Sequence, residues 1–352
     1  MALRPPLFRA AHTRLLDVAR SGAARDGLDE VPRYLLEGPG EAYHLAALHP
    51  EAGLPKYAEL AITAAPGQQW LAIQLAGEQQ AAGVLPTKSL EIDFLTGMVR
   101  YRERRIAEAE RLLRSVAATA EDRIEVAIAL HILGHLDGRG RPAQAEKELR
   151  QSLAIARRLP NARHEGQVLH TLGRLLGRSK RRKREAETLL RRSLRNRRDQ
   201  NDDIGELQVL HTLGHLVGRT RGREVEAEGL LRDSLRTREE LGDGFAQAQV
   251  LHTLGELVGR DAGRTAEAEQ LLDRSLKLGE QLGNWRHQAQ VLYTWGKLRA
   301  RTDHDAGVSL LRRSLAIDQD HDDREGVRVV RAALQRLGAD PEEDGGSPAR
   351  RR

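Results

Sequence analysis

The chain has 352 residues, no cysteine, 3% aromatic residues, 31% charged residues and a formal charge of +6. The missing cysteine excludes disulfides and thiolate metal sites, and the scarcity of aromatics leaves any core to Leu, Val, Ile and Ala. No stretch reaches membrane-spanning length and no apolar run succeeds Met1, so a soluble cytoplasmic protein is expected.

Residues 1–86 form an N-terminal segment without repeats, read as four helical stretches. Pro6 to Arg20 places Leu7, Ala11, Leu15, Leu16 and Val18 near one face. Asp29 to Leu48 comes next, broken at Gly38-Pro39, and then Leu54 to Ala64 and Gln68 to Ala82 around Pro66-Gly67. Trp70, Leu71, Ile73 and Leu75 make the last stretch the most apolar, the one expected to dock on the helices after residue 86.

From Thr87 the chain repeats. Gln167-Val168-Leu169-His170-Thr171-Leu172-Gly173 returns unchanged as Gln208 to Gly214 and Gln249 to Gly255, and with aromatic replacements as Gln290 to Gly296. A second signature, Glu185-Ala186-Glu187 with Leu189, Leu190, Ser193 and Leu194, keeps the same 41-residue step. Repetition at this length marks stacked units that cannot bury their apolar faces alone. The first signature predicts a helix from about Gln167 to Leu176, with Val168, Leu169, Leu172, Leu175 and Leu176 as its apolar stripe. Gly173 inside it costs roughly 1 kcal/mol against Ala, which points to close approach of a partner helix. Gly177-Arg178 ends the helix, and a second helix runs from near Arg184 to about Arg198. Gly242-Asp243 and Gly283-Asn284 read as helix stop and next helix start.

The repeats weaken outward. Ala129 to Gly134 opens a good copy and Gly97 a degenerate one; Leu310 to Leu315 supplies a second helix through a shortened loop, and Glu325 to Leu337 reads as an unpaired capping helix. The expected division is therefore 1–86, a repeat array over 87–338 with about six hairpins and the cap, and a disordered tail over 339–352.

With Leu169, Leu172, Gly173 and Leu176 in the first helix and Ala186 and Leu190 in the second, residues 87–338 resemble the tetratricopeptide repeat family. Its usual period is 34. The longer step here is similar to the kinesin-light-chain-like subtype and to the arrays of bacterial NB-ARC/STAND-type signalling proteins. The resemblance implies an all-α right-handed superhelical solenoid whose first helices line a concave groove for an extended peptide or partner helix. No Gly-x-x-x-x-Gly-Lys-Ser/Thr loop occurs, so the sequence carries no nucleotide engine.

On the side of the first helices opposite the leucines, residues fall into columns. One is His131, His170, His211, His252 and Tyr293; another is Gln167, Gln208, Gln249 and Gln290, followed by the threonines Thr171, Thr212, Thr253 and Thr294. The residue after each packing glycine varies: His135, Arg174, His215, Glu256 and Lys297. Arg139, Arg178, Arg219, Arg260 and Arg301 lie past the helix ends. Amides, imidazoles and guanidiniums in ladders suit a peptide backbone and acidic side chains. Two competing explanations are duplication of every residue and neutralisation of helix C-termini by the arginines. If the columns line a groove, histidines titrating near 6.5 should strengthen an acidic partner's binding from pH 8 to pH 6, and replacing them should barely alter folding because they lie off the leucine stripe.

His131/His135 and His211/His215 have the helical spacing of metal ligands but lack further ligands, so no metal or cofactor is expected. The basic run Ser179 to Arg184 reads as a solvated loop without the aromatics that base stacking needs. No nucleophile–base pair is present. The expected function is a non-enzymatic protein–protein interaction scaffold or adaptor, such as the sensor arm of a signalling system. The alternative is a nucleic-acid-binding helical repeat using basic loops and groove.

Overall fold

The computed structural model describes residues 39–63, 66–86, 88–119, 121–159 and 161–340, with Thr13 and Leu15. The stretch Pro6 to Arg20, the approach to Gly38, and residues 341–352 of the expected tail lie outside the described residues, apart from those two positions. Among the described residues there are sixteen α-helices and no strand. The chain divides into two compact units, Met1–Leu175 and Leu176–Arg352.

The first unit holds α1 (Pro39–Leu48), α2 (Pro50–Thr63), α3 (Pro66–Ala81), α4 (Leu90–Arg102), α5 (Ile106–Ala117), α6 (Ile124–Asp137), α7 (Pro142–Arg158) and most of α8 (Ala162–Leu176). Its core joins the segment before the repeats to the first hairpins: Tyr57, Ile73 and Phe94 are fully buried together with Leu113 and Leu133. Ile73 and Leu75 both point into this core, as their helix's apolar content predicts. Tyr57 Oη donates to Gln79 Oε1 at 2.8 Å while Gln79 Nε2 donates to the Tyr43 carbonyl, so the buried polar groups satisfy one another.

The second unit holds α9 (Lys183–Asp199), α10 (Asp203–Gly218), α11 (Glu224–Glu240), α12 (Gly244–Val258), α13 (Thr265–Gln281), α14 (Trp285–Arg299), α15 (His304–Asp320) and α16 (Arg324–Arg336). The first helices begin more than a turn before the expected Gln: α8, α10, α12 and α14 start at Ala162, Asp203, Gly244 and Trp285. The reason is the cap. Asp202, Asp243 and Asn284 each accept a hydrogen bond from the backbone three residues on, and the helix starts there whatever the apolar pattern. Gly242 and Gly283 precede two of these caps with φ of +68° and +60°, a conformation that glycine alone adopts without strain.

The glycine inside each first helix is where two helices touch. A Cβ on Gly214 would lie 2.8 Å from Leu231 Cγ and 3.3 Å from the Ala227 carbonyl; Gly255 repeats this against Leu272 and Ala268, and Gly296 against Leu311 and Gly307. In the first unit Gly134 stands likewise against Leu149. In four of the second helices a buried serine adds to the same helix pairing. Ser152, Ser234, Ser275 and Ser314 donate to the carbonyls of Ala127, Leu207, Ala248 and Ala289. These bonds tie the middle of one helix to the first turn of the other.

On the second helices, arginine and glutamate ladders join successive copies. Arg223 donates to both oxygens of Glu187, and Arg264 does the same to Glu228. The Arg223 hydrogen bond above all holds the Glu187 carboxyl down at about 2, and Arg264 acts likewise on Glu228.

Candidate functional site

The columns are built where the repeats place them, but the histidines differ in character from the expectation. His211 and His252 are half-buried, and their Nε2 atoms lie 2.9 and 2.8 Å from Oγ1 of Thr253 and Thr294 on the next first helix. His131 meets Thr171 in the same way at 2.8 Å in the first unit. Thr171 and Thr253 spend their hydroxyl protons on the carbonyls of Gln167 and Gln249. The Nε2 atoms of His131 and His211 therefore act as the donors in these pairs. Burial pushes both His211 and His252 down to about 4, with neighbouring basic groups adding to the effect. The expected protonation between pH 8 and 6 is thus corrected: these rings stay neutral there, because they sit between successive helices. They also bond across successive first helices, so their removal is expected to cost stability.

The arginines reach past their own helices. Arg260 donates to the Gly218 carbonyl, and Arg301 donates to that of Gly259 at 3.0 Å. Each satisfies the C-terminal end of the preceding first helix, where the helix dipole is negative. In the basic run, Arg182 pairs with Glu185 and Lys183 donates to the Arg219 carbonyl at 2.7 Å, while Lys180, Arg181 and Arg184 are exposed.

What remains open toward solvent is narrower than the full set of columns. The variable residues His135, Arg174, His215, Glu256 and Lys297 are all exposed, as are Gln208 and Gln290; Gln167 and Gln249 are half-buried. Arg174 donates to His135 Nδ1 at 2.9 Å, and Glu256 pairs with Arg260. His170 is half-buried, and Arg178 and Arg219 are exposed. Between α12 and α14 a cleft of about 220 Å³ is lined by Glu256, Arg260, Tyr293, Thr294, Lys297 and Arg301. Lys297 lies 5.1 Å over the Tyr293 ring and, among the described residues, makes no ion pair. The cleft offers an ammonium, an aromatic face and two helix-capping guanidiniums to a visitor.

Sequence reading missed the junctions between hairpins. Arg197 and Arg238 are buried and pair with the cap carboxylates of Asp202 and Asp243. At the α13–α14 junction the arginine is replaced by Gly279, and His287 fills the space, 2.9 Å from Ser275 Oγ. The signal was available: Arg with Gly205 or Ala246 alternates with Gly279 and His287 across the copies. Among the described residues no cluster of three or more His, Cys, Asp or Glu could hold a metal, and no helix is long and apolar enough to cross a membrane.

Residues 136–199 match the tetratricopeptide repeat family. No curated protein matches the chain in sequence. Among solved structures, a Rap protein complexed with Competence and Sporulation Factor is similar at a TM-score of 0.53 and 14% identity, over 94% of this chain and 97% of that one. Aspartyl phosphate phosphatase F from Bacillus subtilis gives 0.54 at 10% identity, over 96% of each. A signal transduction ATPase with numerous domains from Pyrococcus horikoshii, which carries a tetratricopeptide repeat sensor, gives 0.63 at 11% identity. That match covers 96% of this chain, which spans about half of that protein. Hairpins closed by an internal glycine, the matching segment and these likenesses agree on the fold: the chain is built as a tetratricopeptide-repeat-like helical solenoid, and residues 136–199 match that family.

Proposed function

We propose that this chain is a non-catalytic interaction module that binds an extended peptide segment along the exposed side of its first helices, with 87–338 as the repeat array. The observation that carries this reading is the α12–α14 cleft. Lys297 and Tyr293 line it without a polar partner of their own, beside Glu256 in the column that varies most from copy to copy. Packing explains the glycines, leucines, serines and histidines, whereas nothing in the packing asks for an exposed lysine over a half-buried aromatic ring. A carboxylate of the partner fits between Lys297 and Arg301. In this reading the Gln208, Gln249 and Gln290 amides pair with the peptide backbone. The Rap protein of similar fold was solved with a bound factor, and the archaeal relative's repeats are named a sensor, which accords with a role as an adaptor or sensor arm in signalling. The pairing of Arg182 and Lys183 within the protein weighs against a nucleic-acid surface.

The test is selection from a displayed library of random peptides, run in parallel on wild type and on Lys297→Glu with Gln290→Ala. The proposal expects a sequence family rich in acidic residues that the double variant no longer enriches. Enrichment that is the same for both proteins, or none for either, rejects it.

A further inference from the structure

At four positions along the second unit the same constellation recurs: a buried serine, a residue four later, a helix cap five after that, and a small or filling residue three beyond the cap. In the first two copies these are Ser193, Arg197, Asp202, Gly205 and Ser234, Arg238, Asp243, Ala246. The guanidinium lies inside the junction, and Arg238 Nε also donates to Ser234 Oγ at 3.3 Å. In the third copy Gly279, Asn284 and His287 replace it, and the imidazole takes the guanidinium's place at the serine.

The fourth copy, between α15 and α16, has neither filler. Ser314 is followed by Asp318, the cap is Asp323, and Gly326 stands where His287 stood. A second carboxylate thus occupies the arginine's position. Asp318 is only 5% exposed, and its carboxylate has no hydrogen bond or ion pair among the described residues. Burial first, then the neighbouring Asp323, raises its pKa above the usual range. Asp323 Oδ1 caps α16 through the Gly326 amide at 3.1 Å, and its Oδ2 lies 3.7 Å from the exposed Arg286 Nε. Ser314 Oγ donates to the Ala289 carbonyl and keeps its acceptor side. The Asp318 carboxylate packs against Gly326. Beside it lies a cavity of about 220 Å³ bounded by Asp318, Asp323, Ser314, Tyr293 and Val330, with the exposed Arg286 on its wall turned to Asp323.

We infer that this cavity is a receptor for the guanidinium of an arginine on the partner. Two carboxylates and a serine acceptor present to a visitor the set that Asp202 or Asp243 and its serine present to an internal arginine. A planar fork meets them with several donors at once, which an ammonium cannot. Tyr293 borders both this cavity and the Lys297 cleft. The inference deepens the peptide reading and rests on it for the arginine being part of a peptide. It adds a basic residue next to the acidic one and so fixes the direction in which the segment lies.

The probe is Nα-acetyl-arginine amide, with Nα-acetyl-citrulline amide as its neutral isostere, titrated by NMR while the Gly326 amide and Val330 methyl signals are followed. The arginine derivative should shift both saturably, and citrulline should bind at least tenfold more weakly. Asp318→Asn should weaken arginine binding at least tenfold. Asp318→Arg, which installs the guanidinium of the neighbouring junctions, should abolish binding and raise the melting temperature. Equal response to the two amides, no saturable shift, or unchanged binding by a folded Asp318→Asn overturns the inference; should that variant not fold, the arginine–citrulline contrast decides alone. If library peptides still bind at Lys297 while the arginine amide does not, the cavity is lost and the cleft reading stands.

Discussion

The α9–α10 and α13–α14 junctions do the same job with different chemistry. In the first, Arg197 and Asp202 form an ion pair with both side chains under a tenth exposed. In the second, a neutral His287 bonds to Ser275 and packs over Gly279, whose Cβ, were there one, would lie 3.0 Å from the ring. A buried ion pair gains little over a neutral filler when complete and costs much when half is removed. The comparison teaches that a repeat tolerates either solution provided the whole set changes together.

The sharpest way to break that comparison is to remove one half of the charged junction. Asp202→Ala removes the carboxylate that pairs with the buried Arg197 and takes away the cap of α10, so stability measured by denaturant titration should fall by about 3–5 kcal/mol. A loss no larger than that of an exposed control would show that water reaches the pair. At the neutral junction, His287→Ala should cost less, about 1–3 kcal/mol, for an unmade hydrogen bond and the space left behind.

Acid should separate the two junctions. The folded-state pKa of His287 is lowered, and His211 and His252 go down to about 4, all by burial. The unfolded chain then takes up protons first as pH drops below about 6.5. Stability contributed by these rings is complete above that value and is lost on the way to pH 4. His287→Gln should flatten part of the decline below pH 6.5, and an unchanged slope would remove the junction histidine from the account.

Exchanging the sets sharpens the comparison further. Arg197→Gly with Asp202→Asn and Gly205→His copies the neutral junction into the charged one. The triple variant should lie within about 1.5 kcal/mol of wild type, although the Asp202 change alone costs more. Additive losses would mean that the junctions are not interchangeable. The smallest effect belongs to the half-buried arginine–glutamate ladder: Arg223→Ala should cost about 0.5–1 kcal/mol in a denaturant titration at neutral pH. Because Glu187 is held near 2, that difference should vanish as pH falls from about 5 toward 2.

The hairpins were legible because their glycines, leucines and second-helix alanines recur at a fixed step, and each proves to be a contact. Gly214 against Leu231 is the plainest case. Helix starts were less legible, since the turn after Asp202 carries Ile204 exposed and no apolar stripe. The histidine column misled because identity between copies cannot separate a ring that faces solvent from one that bonds to the next helix's threonine. Where copies differ, the sequence says more: Arg197, Arg238, Gly279 and Asp318 occupy one position, and their partners change with them. That pattern needs the helix junctions to be placed in space before its meaning emerges.

The central claim, that the exposed side of the first helices binds a peptide, is tested most directly by calorimetric titration of a library-selected peptide. It should be run on wild type, on Lys297→Glu, and on Arg232→Glu as a control on the second-helix side. The account predicts binding that Lys297→Glu weakens at least tenfold and Arg232→Glu leaves within twofold. Equal affinity for all three proteins, or loss on Arg232→Glu alone, would contradict it.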